Sequence, residues 1–155
     1  MLKLILCLVI VISGAMIGLY YSQRLSRRKA VLSDFCSMLN KAKLMISYNA
    51  ADLCEVFSDN FADFVFTHGE PFGTQWAELV SQYRAVLSDE DVSVLSGFAD
   101  GIGASDTESQ IQHIELYIKL LNERIESAQR DIDEKSKLYR VLPISAALVL
   151  SILLI

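Results

Sequence analysis

The sequence predicts an all-α protein: a helical bundle with two long antiparallel helices and three shorter ones, and membrane segments at both ends. Three observations predict it. From Ser105 to Tyr139 the apolar residues Ile111, Ile114, Ile118, Leu121, Ile125, Ala128 and Ile132 recur at spacings of three and four, the seam of a long helix that packs on other helices. Leu32, Phe35, Leu39, Ala42 and Ile46 repeat that spacing near the start of the chain, a second coiled-coil-like seam. Met1–Leu19 and Val141–Ile155 are almost wholly apolar. No stretch alternates apolar and polar residues as a strand does.

Taken in order, the first element runs from Leu4 to Leu19, interrupted only by Ser13, Gly14 and Gly18. With Lys3 at one edge and Tyr20 and Tyr21 at the other, it matches the roughly 20 residues that cross a bilayer. Arg24, Arg27, Arg28 and Lys29 follow at once, and such a block resists translocation and marks a cytoplasmic flank. The expectation is a retained anchor over residues 1–21. The rival reading is a cleaved signal peptide, for which Ser13 to Ala15 supply small residues.

The helical pattern then continues from Gln23 to Ile46 without Gly or Pro, so the first helix extends beyond the anchor as a rod. Tyr48 and Asn49 close it. A shorter helix from about Ala50 to Phe66 carries Leu53, Phe57, Phe61 and Phe64 on one face. Thr67–Gly73 reads as a loop by its Gly and Pro content. Thr74 is a candidate cap for the next helix, with Trp76, Leu79, Val80, Tyr83, Val86 and Leu87 inside. Ser88, followed by Asp89, Glu90 and Asp91, starts another, with acids opposing the positive end of the helix dipole; it carries Val92, Leu95 and Phe98 and ends near Gly101.

Ser105 with Glu108 forms the capping-box pattern for the last long helix. Its outer face holds Glu115–Lys119, Glu126–Arg130, Asp131–Lys135 and Asp133–Lys137, each worth about 0.2–0.5 kcal/mol. Burial of a seam aliphatic is worth roughly 1.5–3 kcal/mol, so the seam decides where this helix packs. The tail from Val141 covers only about 22 Å as a helix, short of the roughly 30 Å apolar core, with Pro143 in its first turn. It reads as a short second span with Arg140 snorkelling at the surface. The domain boundaries expected are 1–21 for the anchor, 22–140 for a cytoplasmic helical bundle and 141–155 for a C-terminal membrane segment.

The search for chemistry returns little. The middle of the chain holds 13 Lys and Arg against 19 Asp and Glu and lacks the broad basic face of a nucleic-acid binder. Cys7, Cys36 and Cys54 are odd in number, with no C-x-x-C pair, which reads as reduced thiols. His68 lies in the Gly-Pro loop beside Glu70 with no convergent partner, and His113 sits off the seam as a flank or interface residue. Gly101-Ile102-Gly103 lacks a third glycine and follows a helix, so it fails as a dinucleotide fingerprint and reads as backbone turns. No catalytic residue, metal, cofactor or small-molecule substrate is expected. Gly103, Ser105, Asp106 and Gln110 place a turn, a cap and an amide at one helix end: either packing at a bend or a partner surface. The other functional residues expected are the membrane flank Arg24, Arg27, Arg28, Lys29 and Arg140.

Several residues together carry a resemblance. Met1-Leu2-Lys3-Leu4-Ile5 opens the anchor, Leu25 to Arg28 leaves it, and Ile46 and Tyr48 close the first helix. Phe98 through Gly103, Ser105, Asp106 and Gln110 lead into a helix with Lys135, Leu138 and Tyr139 before an apolar tail. In these features the whole chain resembles the stage III sporulation protein AB family of endospore-forming bacteria. Met45 stands where the family usually has an acid, and Leu142 and Pro143 where it often has Gly.

The resemblance implies a helical-bundle domain similar to the cytoplasmic domains of type II secretion platform proteins. It implies a non-enzymatic platform of the complex linking mother cell and forespore, placed in the outer forespore membrane with its main domain facing the mother-cell cytoplasm. The partners implied are a hexameric secretion-type ATPase and other membrane subunits. The alternatives are a membrane-bound enzyme or regulator using His68 and Glu70, and a secreted helical protein after signal cleavage.

Overall fold

Both apolar repeats fold as long helices. In the computed structural model, which describes residues 2–48, 57, 64, 66, 67, 69–102 and 106–154, α1 spans Leu2–Tyr48 and α4 spans Thr107–Leu154. Between them lie α2 (Phe72–Gln82) and α3 (Asp89–Gly101). Toward the outer ends of α1 and α4 only some side chains are described. All four elements among the described residues are helices, and they form a helical bundle. Of the third short helix expected between Ala50 and Phe66, Phe57 is helical and buried, and Phe64 and Phe66 are buried; the rest, Leu53 and Phe61 included, lies outside the described residues.

The chain divides into two compact units, residues 30–126 and a second made of 1–29 with 127–155. Within the 30–126 unit every residue of the first seam is sealed: Leu32, Phe35, Leu39, Ala42 and Ile46 are at most 5% exposed. On α4, Ile114 and Leu121 are sealed, while the other seam positions Ile111, Ile118 and Ile125 are half-buried. α1 and α4 run antiparallel here, as the pairs Cys36–Asn122 and Lys43–Glu115 show: seven residues forward on one helix match seven backward on the other.

The centre of this unit is aromatic. Trp76 on α2 is fully buried, with ring centroids 5.6 Å from Phe35, 5.9 Å from Phe57, 5.6 Å from Phe72 and 4.8 Å from Phe98. Its indole N–H donates to the Leu95 carbonyl of α3 at 2.7 Å, so the one polar atom of the ring is satisfied.

Local boundaries follow side-chain bonds. Ser88 caps α3 as the sequence indicates: its hydroxyl accepts the Asp91 N–H, and the Asp91 carboxylate accepts the Ser88 N–H. The expected cap at Thr74 is corrected. α2 begins at Phe72 with Pro71 as its N-cap, and Thr74 already donates its N–H to the Pro71 carbonyl at 3.1 Å. Pro71 has φ −58° and ψ 132°, so the chain enters the helix directly after it, with its carbonyl, not a hydroxyl side chain, taking the first N–H. Gln75 does the fastening instead. Its buried amide accepts from Thr67 N–H and donates to the Thr67 and Glu70 carbonyls, tying the loop down over α2. α2 also stops at Gln82. Tyr83 to Val86 form turns, and Leu87 is buried beyond the helix end.

The second unit pairs the ends of α1 and α4, again antiparallel. Arg28 bonds Asp131 at 2.7 Å and Lys29 bonds Gln129 at 2.8 Å. Its surface is reversed from that of a water-soluble helix pair. Gly18, Ser22, Arg28 and Ala128 are buried, whereas Met16 is 67%, Tyr20 65% and Val141 63% exposed. The membrane segments expected at both ends are not found as such: among the described residues no helix is long and apolar enough to cross a membrane. Many of the side chains behind that expectation, at 1–21 and 141–155, lie outside the described residues.

Asp91 allows a test of what holds the 30–126 unit together. It is fully buried and ion-paired to Arg124 of α4 at 2.8 Å, whereas Arg84 and Asp89 pair in the open. Breaking a buried pair leaves a bare charge inside, so Arg124→Met should cost about 3–5 kcal/mol in chemical denaturation, and Arg84→Met less than about 1 kcal/mol.

Candidate functional surfaces

The distal candidate begins where α4 begins. The helix starts at Thr107, and Asp106 is the residue that caps it, in place of the expected Ser105. Asp106 accepts the Ser109 hydroxyl at 2.7 Å, and its backbone carbonyl takes the Gln110 N–H at 3.0 Å. The Ser109 hydroxyl first, and the backbone N–H groups of the first turn after it, hold the Asp106 carboxyl below its ordinary range. A carboxylate there satisfies orphan donors and meets the positive helix end, an advantage Ser lacks. Gly103 and Ser105 lie outside the described residues. Of the four residues expected here, the structure places Asp106 exposed and Gln110 half-buried at the helix start.

Facing this helix start is a notch, at a glycine that in the sequence reads as a backbone turn. Gly101 lies inside α3, and a Cβ built on it would meet His113 Cε1 at 2.3 Å. One turn earlier, a Cβ on Gly97 would meet the Tyr117 hydroxyl at 2.8 Å. Gly97 and Gly101 therefore form a groove that admits His113 and Tyr117 of α4. The His113 ring lies 5.6 Å from Phe98 and 4.8 Å from Tyr117, and its Nε2 bonds the Phe98 carbonyl at 2.9 Å. With that carbonyl as acceptor, Nε2 carries the proton. Of the two readings, flank or interface, the structure gives His113 the second: it binds a last-turn carbonyl of α3 and fits where only glycine leaves room. The spacing Gly97-x-x-x-Gly101 was the available signal.

The basic flank separates into two groups. Arg28 is buried and paired with Asp131, and Lys29 bonds Gln129. Asp131 also pairs with Lys135, whose ammonium, more than Arg28, holds the Asp131 carboxyl below the ordinary range. Arg24 and Arg27 are exposed, and the Arg140 side chain lies outside the described residues. Arg28 and Lys29, both expected in the membrane flank, also join α1 to α4 through these bonds. Their partners, Asp131 and Gln129, are two residues apart on α4, about half a turn.

His68 lies outside the described residues and Glu70 is exposed on the loop. Among the described residues no group of His, Cys, Asp and Glu is placed to hold a metal ion. The buried Cys36 thiol, pushed up by burial, contacts Asn40 and Asn122. No buried side-chain polar atom among the described residues lacks a partner.

With this geometry in hand, the comparisons with known proteins give one match. The family model described as stage III sporulation protein AB matches residues 3–155. No curated protein and no solved structure matches.

The glycine notch yields a clean test. Gly101→Ala should destabilise by about 1–3 kcal/mol through overpacking. In a His113→Ala background the same substitution should cost far less, because the clashing ring is gone. Equal costs in thermal unfolding of the two backgrounds would place the strain elsewhere.

Proposed function

The chain belongs to the stage III sporulation protein AB family, and so has a sporulation-related role; from that premise we propose that it is a non-enzymatic, membrane-anchored platform subunit of the channel complex between mother cell and forespore. The observation that carries the reading is the reversed surface of the unit formed by 1–29 and 127–155. Among the residues described there, the large apolar Val9, Ile12, Met16, Ile17, Leu19, Val141 and Val149 point outward, whereas the buried ones are Gly18, Ser22, Arg28 and Ala128. Water penalises that arrangement, and lipid favours it, because helices in lipid pack through small residues and shared hydrogen bonds. Tyr20 and Tyr21 stand between the apolar residues and the arginines, the position of an aromatic belt.

The 30–126 unit supports a scaffold in a different way. Its buried polar groups are committed to one another: Asp91 to Arg124 and Ser88, Gln75 to its loop, His113 to Phe98. Each holds structure at its site. In this reading the main domain faces the mother-cell cytoplasm from the outer forespore membrane. The start of α4, with Asp106 and Gln110, receives a secretion-type ATPase or another membrane subunit.

Affinity purification of the tagged full chain from membranes of sporulating cells tests the proposal. It should recover the ATPase and the membrane subunits together. Asp106→Ala with Gln110→Ala should deplete the ATPase at unchanged chain abundance, while His68→Ala changes nothing. Recovery of the chain alone, or of a chain with a cleaved N-terminus, would contradict the proposal.

A further inference from the structure

Charge is divided unevenly between the two units. The unit of 1–29 and 127–155 holds nine of the fourteen Lys and Arg but three of the nineteen Asp and Glu. Its cations are also placed by depth. On α1, Val9, Met16, Tyr20 and Arg27 are all exposed at spacings of seven, four and seven, which is one helix face. That face reads apolar, then aromatic, then cationic. Tyr20 and Arg27 are about 10 Å apart along the axis, so with Tyr20 at the edge of the apolar core Arg27 stands at the outer limit of a headgroup layer about 5–8 Å deep.

α4 repeats the order in reverse. Arg130, Lys137 and Val141 are exposed at spacings of seven and four, and Val149 is exposed farther along. The antiparallel bonds Arg28–Asp131 and Lys29–Gln129 bring Arg130 alongside Arg28, next to Arg27. The same register sets Lys137 near the tyrosines and Val141 beside the apolar stretch. The two exposed faces therefore carry their cations at one end of the unit and their apolar residues at the other. Of the three acids of this unit, Asp131 is ion-paired to Arg28 and Lys135, Asp133 accepts a hydrogen bond from the Gln129 amide, and Glu134 is exposed, so the cations still outnumber the acids nine to three.

We infer that Arg27, Arg130 and Lys137 form a collar that binds the headgroups of anionic phospholipids, so that the chain selects such lipids from a mixed bilayer. The inference rests on the membrane reading above and adds a lipid class to it. A retained anchor needs only an apolar band, and exposed cations at and beyond its aromatic edge, Lys137 level with the tyrosines and Arg27 and Arg130 farther out, add electrostatic attraction to an anionic surface. Each such cation contributes up to about fivefold in affinity, screened by salt.

The test uses the purified full chain reconstituted in vesicles of phosphatidylcholine, alone or mixed with phosphatidylglycerol. Spin-labelled phosphatidylglycerol and phosphatidylcholine report which lipid occupies the protein surface. The expected result is a several-fold preference for phosphatidylglycerol that fades at high salt. In Arg27→Gln/Arg130→Gln/Lys137→Gln the ratio should fall to within about twofold of one. The matching variant with Arg27→Lys and Arg130→Lys should keep the preference, and circular dichroism should show both variants equally helical.

Equal occupancy by both lipids in the native chain, or an undiminished preference in the glutamine variant, overturns the inference. So does loss of the preference on adding inorganic phosphate at matched ionic strength, which would assign the collar to soluble anions. Flotation separates the two levels of the reading. A chain that floats with either vesicle but shows no preference refutes the collar alone, whereas a chain that floats with neither refutes the anchor as well.

Discussion

The burial of Trp76 is the interaction on which the 30–126 unit depends. It gathers Phe35 from α1, Phe57 from the segment after it, Phe72 from its own helix and Phe98 from α3. Phe98 in turn stacks on His113 and meets Tyr117 of α4. A single ring thus connects every described helix of the unit, directly or through one neighbour. Burying an aromatic of this size outweighs any one exposed ion pair, and the edge-on ring geometries add to it. The ion pairs and caps around it, Asp91 with Arg124 and Ser88 with Asp91, set angles and ends that the apolar cluster leaves free.

Much of this was legible in the sequence because helices announce themselves by period. The seams at Leu32–Ile46 and Ile111–Ile132 required nothing beyond the spacing of three and four. The start of α3 at Ser88 was equally readable, since a hydroxyl followed by three acids has one favourable use. What stayed hidden depended on partners distant in sequence. Gln75 looked like an ordinary helix residue, and only the fold brings Thr67 and Glu70 to its amide. Gly101 looked like a breaker because nothing local shows that His113 will occupy the space above it. Arg28 looked equivalent to Arg27. The helix pairing alone tells them apart, by turning one toward Asp131 and the other outward.

The candidate surfaces were legible in the same uneven way. The start of α4 was located to within one residue, and Asp106 replaced Ser105 as the cap because a carboxylate answers both the orphan N–H groups and the helix dipole. The cationic collar was half visible. Arg27 stood out in a basic run, but Arg130 and Lys137 sat among acids as apparent members of helix-surface pairs. Their common placement with Arg27 follows from the antiparallel register, a property of two helices together.

Anchoring requires that the unit of 1–29 and 127–155 turn Met16 and Val141 to lipid and keep Ser22 inside. Site-directed spin labelling of the full chain in vesicles, with collisional access to oxygen and to a water-soluble nickel chelate, measures this position by position. Labels at Met16 and Val141 should be open to oxygen and closed to nickel, a label at Ser22 closed to both, and a label at Arg27 open to nickel. If Met16 and Val141 were open to nickel, that face would lie in water and the platform would not be anchored as described.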